Sequence, residues 1–148
     1  MRRLRRVLAG CLLAGAIVPS TAPAASPEGT VVLAINKSRV AHGLGPLKRS
    51  RSLHQSSSRY ARFLMVRNVF AHRSRIAVAS RFEWAGENLE LHWGWRPRPR
   101  YTVSRWMGSP GHRAVILSDE WRWVGVGSSR GRFNANTATI WVAHFGKL

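Results

Sequence analysis

The chain has 148 residues, one cysteine, and 24 Lys+Arg against 6 Asp+Glu, a formal charge of +18 at pH 7. One cysteine excludes a disulfide framework, and the length suits a single domain. The charge favours anionic partners (acidic cell-wall polymer, nucleic acid, lipid headgroups), yet no RNP-type aromatic motif or zinc-finger spacing marks a specific nucleic-acid reader.

At the N-terminus Arg2, Arg3, Arg5 and Arg6 precede a twelve-residue apolar run from Val7 to Val18. That run is too short to span a bilayer, which takes about 20 residues, and suits the central region of a signal peptide. Pro19 breaks it, and Ala22-Pro23-Ala24 supplies small residues for cleavage after Ala24. The expectation is an exported protein, secreted or held in the cell envelope, with no transmembrane segment after cleavage. An uncleaved anchor is the alternative. Leu8-Ala9-Gly10-Cys11 looks like a lipid-attachment box, but only four residues separate Arg6 from Cys11, too few for an apolar region ahead of it. Arg2-Arg3 is no better as a twin-arginine signal, since the whole segment is arginine-rich.

Cleavage would leave 124 residues without cysteine, carrying 20 Lys+Arg, 17 of them arginine, against 6 acids, or +14. A chain of that size buries about two thirds of its unfolded surface, enough for a core without disulfides. Its arginines are scattered along the chain. The densest cluster, Arg96-Pro97-Arg98-Pro99-Arg100, reads as an extended, exposed loop.

Ser26-Pro27-Glu28 starts a first helix: a capping serine, proline at the first helical position, an acid in the first turn. Gly43 and Gly45-Pro46 end it. A second helix is expected from Ser50 to about Arg67, with Leu53, Tyr60, Ala61, Leu64 and Met65 on one face and Asn68 as its stop. Leu89, Leu91, Trp93 and Trp95 alternate with Asn88, Glu90, His92 and Gly94, which predicts an extended segment with one apolar face. A short helix is expected over Thr102 to Met107. Ser109-Pro110 repeats the helix-start signature for another, through about Leu117. Strands over Trp123 to Gly127 and Ala138 to Phe145 would form a hairpin across the polar stretch from Arg130 to Asn136. Helices flanking an antiparallel sheet make an α+β layered domain.

Three segments place a titratable residue beside a glycine or an aromatic. They are Phe70-Ala71-His72, Gly86-Glu87-Asn88 and the run from Trp106 to Arg113, which contains Ser109 and His112. With Ser109 as cap and Pro110 at the first position, His112 occupies the third residue of its helix, where the helix dipole disfavours imidazolium. A neutral imidazole is what a divalent metal needs. Two imidazoles and a carboxylate (His72, His112, Glu87) suit zinc, with a fourth position left open. The plainer reading is a hydrogen-bonded cluster that locks the loops, with Ser109 only a cap contributing about 1 kcal/mol. Of the other histidines, His144 reads as half-buried structure beside Ile140 and Val142, His42 as a partner of a helix C-terminus, and His54 and His92 as exposed. Trp84, Trp93 and Trp95 read as a cover for the sheet or as an aromatic lip near Glu87. Ser56-Ser57-Ser58 reads as a polar helix face.

In their order along the chain these segments resemble the CAP superfamily (cysteine-rich secretory proteins, antigen 5, pathogenesis-related proteins), in its bacterial extracellular, SCP-like branch. Asn36, Arg39, Gly43-Leu44, Pro46-Leu47, Leu53, Tyr60-Ala61 and Met65 extend the match through the first two helices. Ile116-Leu117, Val124 to Gly127 and Trp141 to Gly146 extend it to the end. The resemblance implies a CAP domain over residues 25–148, a three-layer α-β-α sandwich with a central antiparallel sheet. It also implies a cleft holding His72, Glu87 and His112, in which some family members bind a divalent metal. A second acid of many eukaryotic members would fall at Ser109, which leaves a four-residue metal cage incomplete. The expected function is therefore a monomeric, non-enzymatic binding domain for a divalent metal such as zinc, a lipid or an envelope component. The alternatives are a metal-assisted hydrolase with Glu87 as general base, and a binder of polyanions, cell-wall polymer or nucleic acid, driven by charge.

Overall fold

A computed structural model describes residues 25–148. The leader, its cleavage site and Cys11 lie outside the described residues. The element order is α1 (Pro27–Ala41), β1 (Lys48–Arg49), α2 (Arg51–Arg67), β2 (Trp84–Trp93), α3 (Pro99–Gly108), α4 (Pro110–Ile116), β3 (Trp123–Phe133) and β4 (Asn136–Lys147). Ser26 caps α1 by accepting a hydrogen bond from the Gly29 amide at 3.1 Å. Ser50 does the same for α2 through Leu53. Asn68 closes α2 in the left-handed region, at φ 53°.

The sheet order is β1-β3-β4-β2. β3 pairs antiparallel with β4, and β4 with β2, as expected. β1 is an addition: two residues running parallel to β3 through Lys48↔Trp123 and Arg49↔Val124. The hairpin is also longer than its hydrophobic pattern. Pairing continues to Phe133↔Asn136, and the turn is only Asn134-Ala135, both at positive φ. Two left-handed residues make the turn whose twist matches the flanking strands.

Helices cover both faces of the sheet. Val31, Val32 and Ile35 of α1 and Val103 and Trp106 of α3 pack on Val124, Val126, Trp141 and Phe145. Tyr60, Ala61, Leu64 and Met65 of α2 pack on the opposite face, against Leu89, Ile140 and Val142. Among the described residues both clusters fall between Val31 and Phe145. This double cover corrects the one-faced reading of β2. Its polar face lies under α3: Asn88 and His92 are buried, and His92 Nε2 meets Thr102 Oγ1 at 2.8 Å. The arginine-proline stretch is likewise not all loop, because Pro99 and Arg100 open α3.

Serines 56 and 57 are no polar face either. Both are buried where α2 crosses β3, and Ser57 donates to the Gly125 carbonyl at 2.9 Å. Trp84, Trp93 and Trp95 stand exposed at and just beyond the ends of β2, with the Trp93 ring 6.4 Å from that of Phe133 on β3. His42 behaves as expected, with Nδ1 on the Ser38 carbonyl at 2.7 Å. His54 is exposed yet keeps Nδ1 on the Val126 carbonyl at 2.6 Å.

Candidate functional site

The site gathers on β2, the edge strand away from β1. Gly86, Glu87 and Asn88 each make a different contact there. A Cβ on Gly86 would sit 2.7 Å from the Trp121 ring, so the missing side chain admits that indole, which in turn donates to the Val115 carbonyl of α4. Glu87 points to the α2 side. Asn88 points to the other side and donates through Nδ2 to the His112 carbonyl at 3.0 Å. Strand alternation thus ties one short motif to both helical layers.

His72 lies in the long segment between α2 and β2, held through both its neighbours by Tyr60. The Tyr60 hydroxyl donates to the Ala71 carbonyl at 2.5 Å, and the Arg73 guanidinium stacks 4.1 Å above the Tyr60 ring. His112 is the third residue of α4, as its spacing predicts. The far end of α4 is fixed by a residue whose role the sequence did not reveal. Arg39 of α1 is buried and donates to the carbonyls of Ile116 and Ser118, each at 2.7 Å.

Ser109 departs from expectation. Its backbone serves both as the end of α3 and the start of α4, and its side chain makes no capping hydrogen bond. It lines a groove with Ser104, Arg105 and Gly108, and no hydrogen bond links it to His72, Glu87 or His112.

Glu87 is at the centre. Its Oε1 meets His72 Nδ1 at 2.8 Å and its Oε2 meets His144 Nε2 at 3.0 Å. His144 is directly opposite Glu87 on β4 and is only 1% exposed, not half-buried. Its other nitrogen, Nδ1, meets Ser56 Oγ at 2.7 Å. Burial pushes the Glu87 carboxyl up, but hydrogen bonds and charge from His144 and His72 together outweigh it and hold the carboxyl below its ordinary value. Glu87 is thus ionised at neutral pH.

An ionised carboxylate only accepts hydrogen bonds. His144 Nε2–H and His72 Nδ1–H therefore both donate to Glu87, and among the described residues His72 Nε2 makes no hydrogen bond. Ser56 Oγ lies between the Leu53 carbonyl, at 3.0 Å, and His144 Nδ1, at 2.7 Å.

The His112 ring lies 6.3 Å from that of His72, tilted by 44°. Burial, then the proximity of His72, holds His112 below its ordinary value, so it is neutral at pH 7. The structure therefore brings His72, Glu87 and His112 together and adds His144, Ser56 and Tyr60. Among the described residues no three His, Cys, Asp or Glu side chains converge on a common metal position. His72, Glu87 and His112 are accordingly not arranged as a three-donor set, and each Glu87 oxygen faces a histidine.

Residues 32–145 match the CAP family, the cysteine-rich secretory protein family. In Bacillus subtilis (strain 168) the uncharacterised protein YkwD is 28% identical over 127 residues, 80% of this chain and 46% of that protein. The uncharacterised membrane protein YlbC of the same organism is 26% identical over 115 residues, 72% of this chain and 32% of its own length. The chain thus spans less than half the length of either relative. Among solved structures, an outer surface protein of Borrelia burgdorferi superposes with a TM-score of 0.64 at 20% identity, over 79% of this chain and 89% of that one. An extracellular SCP-domain protein of Bacillus anthracis gives 0.66 at 19% identity, over 82% of this chain and 40% of that one. With a four-stranded mixed sheet between helical layers, and the family's pattern matched over most of its length, the chain is a member of the CAP family.

Proposed function

We propose that this is an exported, non-enzymatic binding domain whose ligand site is the pair His72 and His112, with Glu87 as the residue that orients His72. The observation that carries the reading is the full engagement of the Glu87 carboxylate by His72 and His144. A general base needs an oxygen within reach of the proton it takes, and this carboxylate is 3% exposed with a histidine on each oxygen. What it does instead is hold His72 Nδ1–H, fixing the tautomer that leaves Nε2 available, as carboxylates do behind metal-bound histidines. A divalent cation such as zinc would be held by His72 and His112 and would give an anionic envelope component a charged point of attachment. Export fits the description of the Bacillus anthracis relative as extracellular and of the Borrelia protein as an outer surface protein.

Isothermal titration of zinc into residues 25–148 tests this. The expected result is a saturable heat that disappears in His72→Ala/His112→Ala and weakens about 10–100-fold in Glu87→Gln, as for other orienting partners. Equal, negligible heats in the parent and the double variant would overturn it.

A lipid ligand, the other class expected from the sequence, is better matched elsewhere. A groove of about 590 Å³ runs between α1 and α3, lined by Leu33, Ala34, Val103 and Met107 together with Lys37 and Arg100. An acyl chain would lie on the aliphatic side chains with its carboxylate near the two cations. Leu33 is exposed, so Leu33→Glu should fold and should weaken binding of a fluorescent fatty acid at least about tenfold. Binding unchanged by Leu33→Glu would remove this reading.

A further inference from the structure

Part of the arginine excess lies on α2 and the segment after it. Residues 51–82 contain seven arginines and no acid. At 100° per residue, Arg59, Arg62, Phe63, Val66 and Arg67 share an arc of roughly 140° on α2. All five are exposed, and they lie away from the stripe of Tyr60, Ala61 and Leu64 that packs on the sheet. Val66 is 71% and Phe63 45% exposed. Just past the Asn68 cap, Val69 and Phe70 are also exposed, 43% and 44%. One side of it is already ordered. Tyr60 and Phe63 stack with ring centroids 5.9 Å apart, and the Arg73 guanidinium lies 4.1 Å over the first ring and 5.6 Å over the second.

We infer that this face, Phe63, Val66, Val69 and Phe70 rimmed by Arg59, Arg62, Arg67 and Arg73, docks the domain on an anionic lipid surface. The charge is complementary to such a surface. Arginine heads at the rim would meet lipid phosphates while their stems lie along the apolar boundary. The four apolar side chains separate a membrane from a soluble polyanion. A dissolved polymer satisfies the arginines but leaves valine and phenylalanine in water, whereas the headgroup–acyl boundary takes up both. Among the described residues no helix is long and apolar enough to cross a membrane, so the contact is peripheral. This inference is independent of the His72–His112 reading, because the two use different residues.

The test uses residues 25–148, which contain both core clusters and no cysteine. Cosedimentation should show binding to phosphatidylcholine vesicles containing phosphatidylglycerol and none to phosphatidylcholine alone. Phe63→Ser/Val66→Ser should fold, by circular dichroism, and bind about tenfold more weakly. A polarity-sensitive dye on Val66→Cys should shift to the blue with anionic vesicles, and the same dye on Val40→Cys of α1, exposed and outside the α1–α3 groove, should not. Absence of binding to anionic vesicles would overturn the inference. So would binding to vesicles and to soluble polyphosphate that is equally unaffected by Phe63→Ser/Val66→Ser, which would assign the face to a polymer.

Discussion

His144→Ala is expected to destabilise the domain by about 3–5 kcal/mol in denaturant unfolding, the usual cost of leaving a buried charge without its partner. Glu87 is 8% exposed, and without His144 it keeps only His72, whose side chain is 56% exposed. Removing both members of the pair is expected to cost less than the sum of the single changes. His144→Leu/Glu87→Leu replaces the hydrogen-bonded pair by apolar volume and strands no charge. The pH dependence has a definite sign. The folded-state value of Glu87 is depressed, so the stabilisation it contributes is complete above the unfolded glutamate value, about 4.3, and is lost as pH falls through the folded value. The gap between parent and His144→Ala should therefore narrow as pH falls below about 4. A gap that stays constant from pH 7 to pH 3, or a loss under 1 kcal/mol, would count against an ionised Glu87 held by His144. Nitrogen NMR gives an independent reading: the His144 ring nitrogen that faces Glu87, Nε2, should show an attached hydrogen at neutral pH.

The features legible in the sequence were those fixed by neighbouring residues. Ser26-Pro27, Ser50 and Asn68 mark helix ends because capping is a contact over three or four positions. What escaped depends on partners distant in the chain. β1 is too short to show a pattern and exists only because Lys48 and Arg49 meet Trp123 and Val124. The polar segment from Ser128 to Arg132 carries no strand signature, yet pairing with the apolar β4 keeps it extended. His92 reads as exposed because nothing nearby reveals that α3 will lie over it and offer Thr102. At the site, His72, Glu87 and His112 could be named from their motifs, but Glu87's assignment as metal donor could not be checked without its partners. His144 is 57 residues from Glu87, and strand register alone brings them face to face. The serine triplet of α2 held one usable signal. Small side chains on a helix, matched by the alternating glycines of Val124-Gly125-Val126-Gly127, are what a close helix–strand contact requires.

Gly125→Ala should cost about 3 kcal/mol or more, because that contact is backbone against backbone. An ideal Cβ on Gly125 would lie 2.0 Å from the His54 amide nitrogen and 2.2 Å from the Leu53 carbonyl carbon. Neither atom can rotate away, so α2 must lift off the sheet or β3 must bend, and overpacking of this kind destabilises strongly. Gly131→Ala, farther along the same strand, is the matched comparison. Its Cβ would meet the Met65 side chain at 2.9 Å, and an unbranched thioether can move. Its cost should stay near 1 kcal/mol. The difference reaches the site as well as the fold. Leu53 supplies the carbonyl that takes the Ser56 hydrogen, and Gly125 is the β3 neighbour of His144. Lifting the first turns of α2 would therefore loosen the Ser56–His144 contact, and the His144 nitrogen resonances should change in Gly125→Ala but not in Gly131→Ala. Equal stability of the two variants in denaturant would show that α2 does not lie directly on β3, and would remove the packing reason for burying Glu87 and His144 beneath it.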